Sequence, residues 1–417
     1  MIERGREFVQ WLKGLSQRSA MDWQECPRCG STETIGHGSY GRRPRRFMER
    51  QKVRVQRHLC HGCGKTYSEK SPDLVARSWY GREVHRMAVD HWVHMRCSLR
   101  RTAELLRSQM GHQERWLIWQ WWAKDEEQWE PCYLSASTIQ RWVVRAGEQA
   151  GTPGQWQKVA NSGQFGVDGL WARLVAGAKR VVLMIADTAT GMIWSTAVSL
   201  GESSAEHWSV LFARIKAAGL SWDDLDGLVC DGAQGLLSFA REHLGRVHLQ
   251  RCVWHFWRNL SQDIGRVVAT VAEEAQDQTR QELTRLLHLI LDAPTYAAAE
   301  QALTALREIP GTQALAHKVY VLLDQLLYHL LPVHSGLVRV SPEWLWRDFR
   351  LRLSHGRNHG SEKRLEQAAS LWMVYHNFTP AQGRSERKRT YKHPGQSPLQ
   401  VAGADPGEIS YLDALQV

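Results

Sequence analysis

The sequence predicts an α/β domain that follows a basic, cysteine-bearing region and a helical region. Two C-x-x-C pairs, CPRC and CHGC, lie within residues 1–80. Residues 81–150 have the apolar spacing of amphipathic helices. From residue 163 onward, short apolar runs with strand character alternate with helical segments. The 417 residues are enough for two or three domains, each with its own core.

Composition narrows the class of partner and the compartment. The net charge is +10 and the pI is about 9.3, which favours a polyanionic partner. No apolar run reaches the length of a transmembrane helix, and the first twenty residues lack the apolar centre of a signal peptide. We therefore expect a cytoplasmic protein with no membrane partner. Its eight cysteines are then metal ligands or core thiols rather than disulfides.

The two C-x-x-C pairs predict one structural zinc ion. Cys26 and Cys29 form the first pair, and Cys60 and Cys63 form the second. Each pair directs two thiolates at one ion, and four thiolates complete a tetrahedral zinc site. A glycine follows each pair, as the tight turn of such a knuckle requires. Buried thiols with an accidental spacing are the alternative.

The segment between the two pairs is strongly basic, and within residues 42–57 Glu49 is the only acid. A hairpin that presents phosphate contacts is the favoured interpretation, and a solvated basic face is the alternative. The basic residues are Arg42, Arg43, Arg45, Arg46, Arg50, Lys52, Arg54 and Arg57.

Residues 81–150 predict a helix-turn-helix-like DNA-binding domain. The two helices are expected at 98–111 and 134–149, with Ser135 or Ser137 capping the second. The aromatic-rich stretch between them must then be an insertion, and an ordinary helical linker domain is the alternative. Side chains that reach phosphates and base edges stand near the start of the second helix. These are Ser137, Thr138, Gln140 and Arg141.

The next region, after a Gly- and Pro-containing linker at 151–163, predicts a mixed sheet with acidic residues at strand ends. Three consecutive strands, a helix and two further strands follow one another in an α/β order. Asp168 and Asp231 are each expected where a strand leaves the core, and carboxylates so placed can hold hard cations. Asp187 also ends a strand, but beside a hairpin turn, where aspartate is common for local reasons.

Four motifs, in this order, resemble the DDE transposases of bacterial insertion sequences, particularly the Mutator-like branch with a ribonuclease-H-like catalytic core. They are GVDG at 166–169, VCDGAQGL at 229–236, RCVWHFWRNL at 251–260 and LEQAASLWMVYHNFTPAQ at 365–382. The resemblance covers about 160–380. It implies a ribonuclease-H-like core in two parts with an all-helical insertion, behind the zinc-knuckle and helical DNA-binding domains. The two parts are expected at 163–260 and 336–382, the insertion at 261–335, and a basic flexible tail at 383–417.

The resemblance also requires a glutamate on a helix late in the core. Glu343 is favoured, because Ser341 and Pro342 before it are typical of a helix start. Glu362 and Glu366, on the following helix, are the alternatives. The asparagine-rich approach usual before this glutamate is replaced here by RVSPE.

The activity that the resemblance implies is metal-dependent cleavage and transfer of DNA strands. Asp168, Asp231 and Glu343 would hold two Mg²⁺ or Mn²⁺ ions. The partners would be double-stranded DNA, as terminal inverted repeats and target, and a second copy of the chain, in the bacterial cytosol at the nucleoid. Cys252 and His255 would be either active-site neighbours or a structural pair. The alternatives are a DNA-binding zinc protein without cutting activity (a regulator or domesticated transposase) and a ribonuclease-H-like nuclease that does not join strands.

Overall fold

The computed structural model confirms a mixed α/β protein and divides it into two compact units. One unit comprises residues 1–152 and 350–417, and the other comprises 153–349. Within the part that the structure describes, no helix is long and apolar enough to cross a membrane. The described residues are 25–47, 52–110, 134–151, 159–175, 177–331, 338–355, 359–380, 393 and 395–417.

Several predicted features lie outside the described residues. They are Arg50, the aromatic-rich stretch at 112–133, most of the linker at 151–163, and the basic run at 384–392.

The first unit begins with a small antiparallel sheet between the two cysteine pairs. Its strands are β1 (Thr34–Arg42), β2 (Val53–Cys60) and β3 (Thr66–Ser68), paired in that order. Strand β1 is exposed along almost its whole length, and the buried cluster beneath the sheet contains Cys26, Cys60 and Tyr67. Because so few apolar side chains are buried here, the cysteines provide much of this core.

Three mutually packed helices follow the small sheet. They are α1 (Arg82–Val93), α2 (Leu99–Gln109) and α3 (Ala136–Ala150). Ser98 Oγ accepts a hydrogen bond from the Arg101 amide at 3.2 Å, and Ser135 Oγ accepts one from the Thr138 amide at 3.2 Å. Both helices predicted in this region are therefore confirmed, and Ser135 caps the second.

The second unit contains a five-stranded sheet in the order β6-β5-β4-β7-β8. Strands β4, β5 and β6 are antiparallel neighbours, and β7 and β8 continue the sheet parallel to β4. The predicted succession along the chain, with three antiparallel strands before a helix and then parallel strands, is thereby confirmed. The strands are β4 (Gln164–Arg173), β5 (Lys179–Asp187), β6 (Ile193–Ser199), β7 (Gly227–Cys230) and β8 (His248–Arg251).

The expectation that Asp168 ends a strand is wrong. The β4–β5 pairing runs without interruption from Phe165 opposite Asp187 to Arg173 opposite Lys179. Asp168 therefore lies in the middle of β4, because the hairpin continues through Gly169 instead of ending there.

Helices of the second unit form two groups. In the first group α4 (Ala205–Ala217) packs on α5 (Gln234–His243) and against β6. The second group has its own apolar core and consists of α6 (Val253–Val268), α7 (Gln276–Leu291), α8 (Tyr296–Glu308) and α9 (Gln313–Leu327). The fully buried Gln250 joins this helical cluster to the sheet, since its side chain donates to the Leu326 carbonyl and accepts from the His329 amide.

The C-terminal helices differ from the sequence prediction. They are α10 (Glu343–His355), α11 (Glu362–Phe378), α12 (Pro398–Val401) and α13 (Tyr411–Ala414). We expected 336–382 to complete the catalytic core, but the boundary between the units falls within α10, and α11 packs along α3 of the first unit. Gly147 in α3 makes this approach close, because a Cβ at that position would lie 2.5 Å from the Gln367 carbonyl oxygen.

The last residues form a packed segment rather than a flexible tail. Helices α12 and α13 both contact α11, and their buried side chains include Leu399 and Leu412. Tyr411 donates to the Asp90 carboxylate at 2.9 Å, which ties α13 to α1. The prediction of a flexible tail is thus wrong for 395–417, because this segment carries its own apolar contacts and capped helices.

Replacing Gly147 by alanine should destabilise the first unit. The added methyl would meet main-chain atoms of α11, and such overpacking costs about 1–3 kcal/mol. Gly265→Ala is the matched control, since a Cβ there meets nothing within 4 Å and alanine should stabilise helix α6 by about 0.5–1 kcal/mol. Thermal unfolding followed by circular dichroism measures both, and a Gly147→Ala variant as stable as Gly265→Ala would contradict this account.

Candidate functional site

The four predicted zinc ligands lie together. Cys26 Sγ is 3.8 Å from Cys63 Sγ, Cys29 Sγ is 3.5 Å from Cys60 Sγ, and all four sulfurs lie within 4.8 Å of one another. These separations are far longer than the disulfide bond of about 2.05 Å. They match the edge of about 3.8 Å that four sulfurs make around one ion at about 2.3 Å. The cluster can therefore hold one tetrahedral metal ion.

The two knuckles have equivalent backbone structures. The Gly30 amide donates to the Cys26 carbonyl and the Gly64 amide donates to the Cys60 carbonyl, each at 2.9 Å. Both glycines lie in the left-handed region, with φ of +73° and +65°. A residue with a Cβ would be strained there, and so the glycine after each pair has the turn role that we predicted.

Arg45 and Arg46, both predicted phosphate contacts, have partners within the protein. Arg45 is buried, with its guanidinium over the Tyr80 ring. Arg46 forms ion pairs with Glu83 at 2.8 Å and Asp73 at 3.3 Å. Because these groups already have partners, both arginines stabilise the junction between the small sheet and α1.

Other predicted DNA contacts are open to solvent to different degrees. Arg42 is half-buried and donates to main-chain carbonyls of the 75–78 loop. Near the start of α3, Ser137 and Arg141 are exposed, whereas Thr138 and Gln140 are half-buried. The exposed basic residues on the strands and connections of the small sheet include Arg43, Lys52, Arg54 and Arg57.

In the second unit, strand pairing places Asp168 and Asp231 opposite each other along neighbouring strands. The parallel register between β4 and β7 pairs Gln164 with Gly227 and Gly166 with Val229. Extending this register by two residues brings Asp168 level with Asp231, which directly follows β7, as predicted. Since neighbouring strands are about 4.8 Å apart, the backbones of the two acids are close, but the group of possible metal ligands that the described residues form around Asp168 does not include Asp231.

The loop before α10 brings Glu343 to Asp168. Gly166 and Asp168 lie on the same face of β4, because side chains alternate along a strand. A Cβ on Gly166 would be 2.5 Å from Pro342 Cδ, so this proline rests directly on the strand. Ligand atoms of Asp168, Glu343 and His255 consequently lie within 4.8 Å of one another.

The same loop orients His255. Ser341 Oγ is 3.4 Å from both Cys252 Sγ and His255 Nδ1, and the Ser341 amide donates to Cys252 Sγ at 3.3 Å. The other ring nitrogen of His255, Nε2, is 3.9 Å from Glu343 Oε2. The buried residues Cys252 and Ser341 therefore lie on the Nδ1 side of the imidazole. Its Nε2 side faces Glu343.

Asp168, Glu343 and Asp231, called here the acidic group, are electrostatically unfavourable neighbours. Asp168 is only 3% exposed, and burial, the Glu343 carboxyl and the Asp231 charge raise its pKa well above the ordinary range. Its Oδ1 accepts from the Gly169 amide at 3.0 Å, whereas Oδ2 is buried without a donor in the described part of the chain. Two carboxyls can share a hydrogen bond only if one is protonated. A bound cation would satisfy the same oxygens.

The acidic group also affects the pKa of His255. Burial lowers the pKa of His255, but its contact with Cys252 and the nearby carboxylates outweigh burial, and the net pKa is raised. The positive form of the imidazole is therefore more stable here than in a free histidine.

Sequence reasoning missed Glu202. Its Oε1 accepts from Trp171 Nε1 at 2.9 Å, and a Cβ on Gly169 would lie 2.5 Å from its Oε2. Burial, together with the charge of Asp231, raises the pKa of Glu202. The available signal was weak, since an acid in the turn after a predicted strand is common.

Asp187 has a structural environment. Its Oδ1 accepts from the Ala189 and Thr190 amides at 2.9 and 3.0 Å, and its Oδ2 accepts from the Ser162 amide at 2.7 Å. This buried carboxylate closes the β5–β6 turn, which is the local role that we expected.

Among the three glutamate candidates, only Glu343 belongs to the acidic group that the structure describes. Glu362 is the first residue of α11, Glu366 lies one turn later, and both belong to the other unit.

The comparison with protein families points to one class. Residues 177–333 match the Transposase, Mutator family, which is consistent with a Mutator-like transposase and confirms the predicted resemblance. The matched stretch begins before β5 and ends beyond α9, and it includes Asp231, Cys252 and His255. No curated protein matches the chain significantly.

Asp168→Asn should stabilise the protein in the absence of divalent ions. A carboxyl whose pKa is raised in the folded state contributes stability below that pKa and loses it as the pH rises through it. At neutral pH the amide removes this penalty, and the melting temperature should rise by about 2–4 °C for each kcal/mol relieved.

Mg²⁺ or Mn²⁺ should raise the melting temperature of the wild type and have little effect on Asp168→Asn. Asp226→Asn, an exposed carboxylate just before β7, is the control and should behave as wild type. Equal responses of wild type and Asp168→Asn to the cations would argue against a metal site.

Proposed function

We propose that the protein is a Mutator-like DNA transposase that cleaves and joins DNA strands at transposon ends. The observation that carries the proposal is the convergence of Asp168 and Glu343 beside Asp231, in a unit that matches the Mutator transposase family. Carboxylates gathered on a rigid sheet suit metal-dependent chemistry on phosphate esters.

A ribonuclease-H-like core is the architecture that we infer for the second unit. Three antiparallel strands followed by two parallel ones, in the order β6-β5-β4-β7-β8, support this inference. The helical cluster of α6–α9 lies in sequence between Asp231 and Glu343, as an inserted helical segment would.

The donor set fits two hard divalent ions, Mg²⁺ or Mn²⁺. Carboxylate oxygens are their preferred ligands, and the buried Oδ2 of Asp168 has no hydrogen-bond donor in the described part of the chain. Asp168, Asp231 and Glu343 would hold the ions. When bound, such a metal pair neutralises charge on the entering and leaving oxygens of an in-line displacement at phosphorus.

The chain's own residues would prepare this site. Strand β4 fixes Asp168, and the Pro342 contact fixes the loop that carries Glu343. His255, oriented through Ser341, would limit the positions open to the Glu343 carboxylate, as neighbours of metal ligands commonly do.

We infer that the first unit binds DNA and holds a structural zinc ion in the four-cysteine cluster. The spacing of the sulfurs and the basic surface of the small sheet support this role. Exposed polar residues at the start of α3 are further candidates for contact with double-stranded DNA.

Asp168→Asn, Asp231→Asn and Glu343→Gln should each lower strand cleavage and joining by about 10²–10³-fold or more. Binding to DNA ends should persist, because these side chains repel phosphates rather than attract them. The measurement is incubation of the protein with Mg²⁺ and the DNA ends that flank its gene, with gel analysis of cleaved and joined strands.

Asp226→Asn and Glu362→Gln are the controls for this test and should retain activity. A dead Glu362→Gln beside an active Glu343→Gln would remove Glu343 from the site. Cleavage without joining would indicate a nuclease, and binding without cleavage by the wild type would indicate a regulator.

Cys60→Ser should release the zinc ion. The full-length protein should contain about one zinc per chain, and loss of one thiolate should reduce this content and weaken binding to DNA ends, because the metal's binding energy stabilises the small sheet. Metal analysis by mass spectrometry gives the readout, with Cys97→Ser, a cysteine outside the cluster, as control. A wild type without stoichiometric zinc would refute the assignment.

A further inference from the structure

Arg251 lies against Gly232, the residue that follows Asp231. It is the last residue of β8 and pairs with Cys230, which immediately precedes Asp231. A Cβ on Gly232 would be 1.3 Å from Arg251 Nη1 and 1.7 Å from Cζ. The guanidinium thus occupies the space that any side chain after Asp231 would fill.

The geometry of Gly232 reinforces this arrangement. Its φ is +85°, a left-handed conformation that favours glycine. Helix α5 begins two residues later at Gln234, so its positive end lies close in sequence to the same point.

The guanidinium has no partner in the described part of the chain. Arg251 forms no ion pair or side-chain hydrogen bond there, and its Nε is buried without an acceptor. The Asp231 carboxylate accepts instead from the Ala233 amide at 2.8 Å. Arginine has five N–H donors, and buried donors in proteins are normally satisfied. A structural partner of Asp231 would be expected to form an ion pair with it, and Arg251 does not.

We propose that Arg251 binds a phosphate of the DNA strand held at Asp168, Asp231 and Glu343. The inference rests on the proposed function, since it takes a phosphodiester as the ligand. A planar guanidinium matches two phosphate oxygens and stays charged at every relevant pH. From its position against Gly232, it would supply positive charge that attracts the DNA backbone.

This contact is tested by removing the charge of one DNA phosphate at a time. Full-length wild type, Arg251→Gln and Arg246→Gln are compared for binding to a set of DNA ends, each with one methylphosphonate near the cleavage position. Fluorescence anisotropy is measured with Ca²⁺ in place of Mg²⁺. Arg246 is the control because it is exposed, precedes the same strand at its other end, and carries the same charge.

One methylphosphonate should weaken wild-type binding by about 10- to 100-fold. Arg251→Gln should be insensitive at that position and as sensitive as wild type at the others, while Arg246→Gln should follow wild type throughout. If Arg251→Gln melts too early to be compared, Arg251→Lys is measured instead and should show reduced sensitivity at the same position.

The experiment distinguishes a failure of the phosphate contact from a failure of the proposed function. If the wild type binds and cleaves DNA ends but the Arg251 variants keep its full sensitivity profile, the phosphate contact is overturned and the transposase proposal stands. If the wild type neither binds nor cleaves DNA ends, the proposed function is overturned, and this inference with it.

Discussion

The contact between Pro342 and Gly166 is the constraint on which the acidic site depends. Glu343 and Asp168 are far apart in sequence and belong to different elements, α10 and β4. The proline can rest on the strand only because Gly166 has no Cβ, and this places the next residue, Glu343, over the next position on that face of β4. A larger residue at position 166 would displace the loop and separate the two carboxyls.

The rigid position of Asp168 maintains its unfavourable electrostatic environment. Asp168 lies within a continuous antiparallel pairing, so it cannot move away from its neighbours when its charge is unfavourable. The surrounding structure offsets the penalty: α4 packs against β5 and β6, α5 packs on α4, and Gln250 anchors the helical cluster to the edge of the sheet. An electrostatically costly group of carboxylates agrees with the metal site that we propose, since functional sites commonly sacrifice stability.

Local signals made much of the fold predictable, and long-range contacts limited the rest. The strands from 163 to 250, the capped helices α2 and α3 and the cysteine knuckles follow from residue patterns a few positions long. The continuation of β4 past Asp168 was not predicted; pairing with β5 extends the strand to Arg173. The packing of α11 on α3 and the ordered segment 395–417 depend on partners distant in sequence, which no local pattern specifies.

Gly166, Gly169 and Gly232, in the two aspartate motifs, have a similar structural role. Each lies where a Cβ would collide with a group from elsewhere in the chain: the Pro342 ring, the Glu202 carboxylate and the Arg251 guanidinium occupy the spaces beside Gly166, Gly169 and Gly232, respectively. The missing side chains therefore create the room in which a second carboxylate-bearing loop, a further acid and a cation approach the aspartates. In a motif such as GVDG or DG, the glycines then decide which distant residues reach the acids, while the aspartates supply the charge around which they gather.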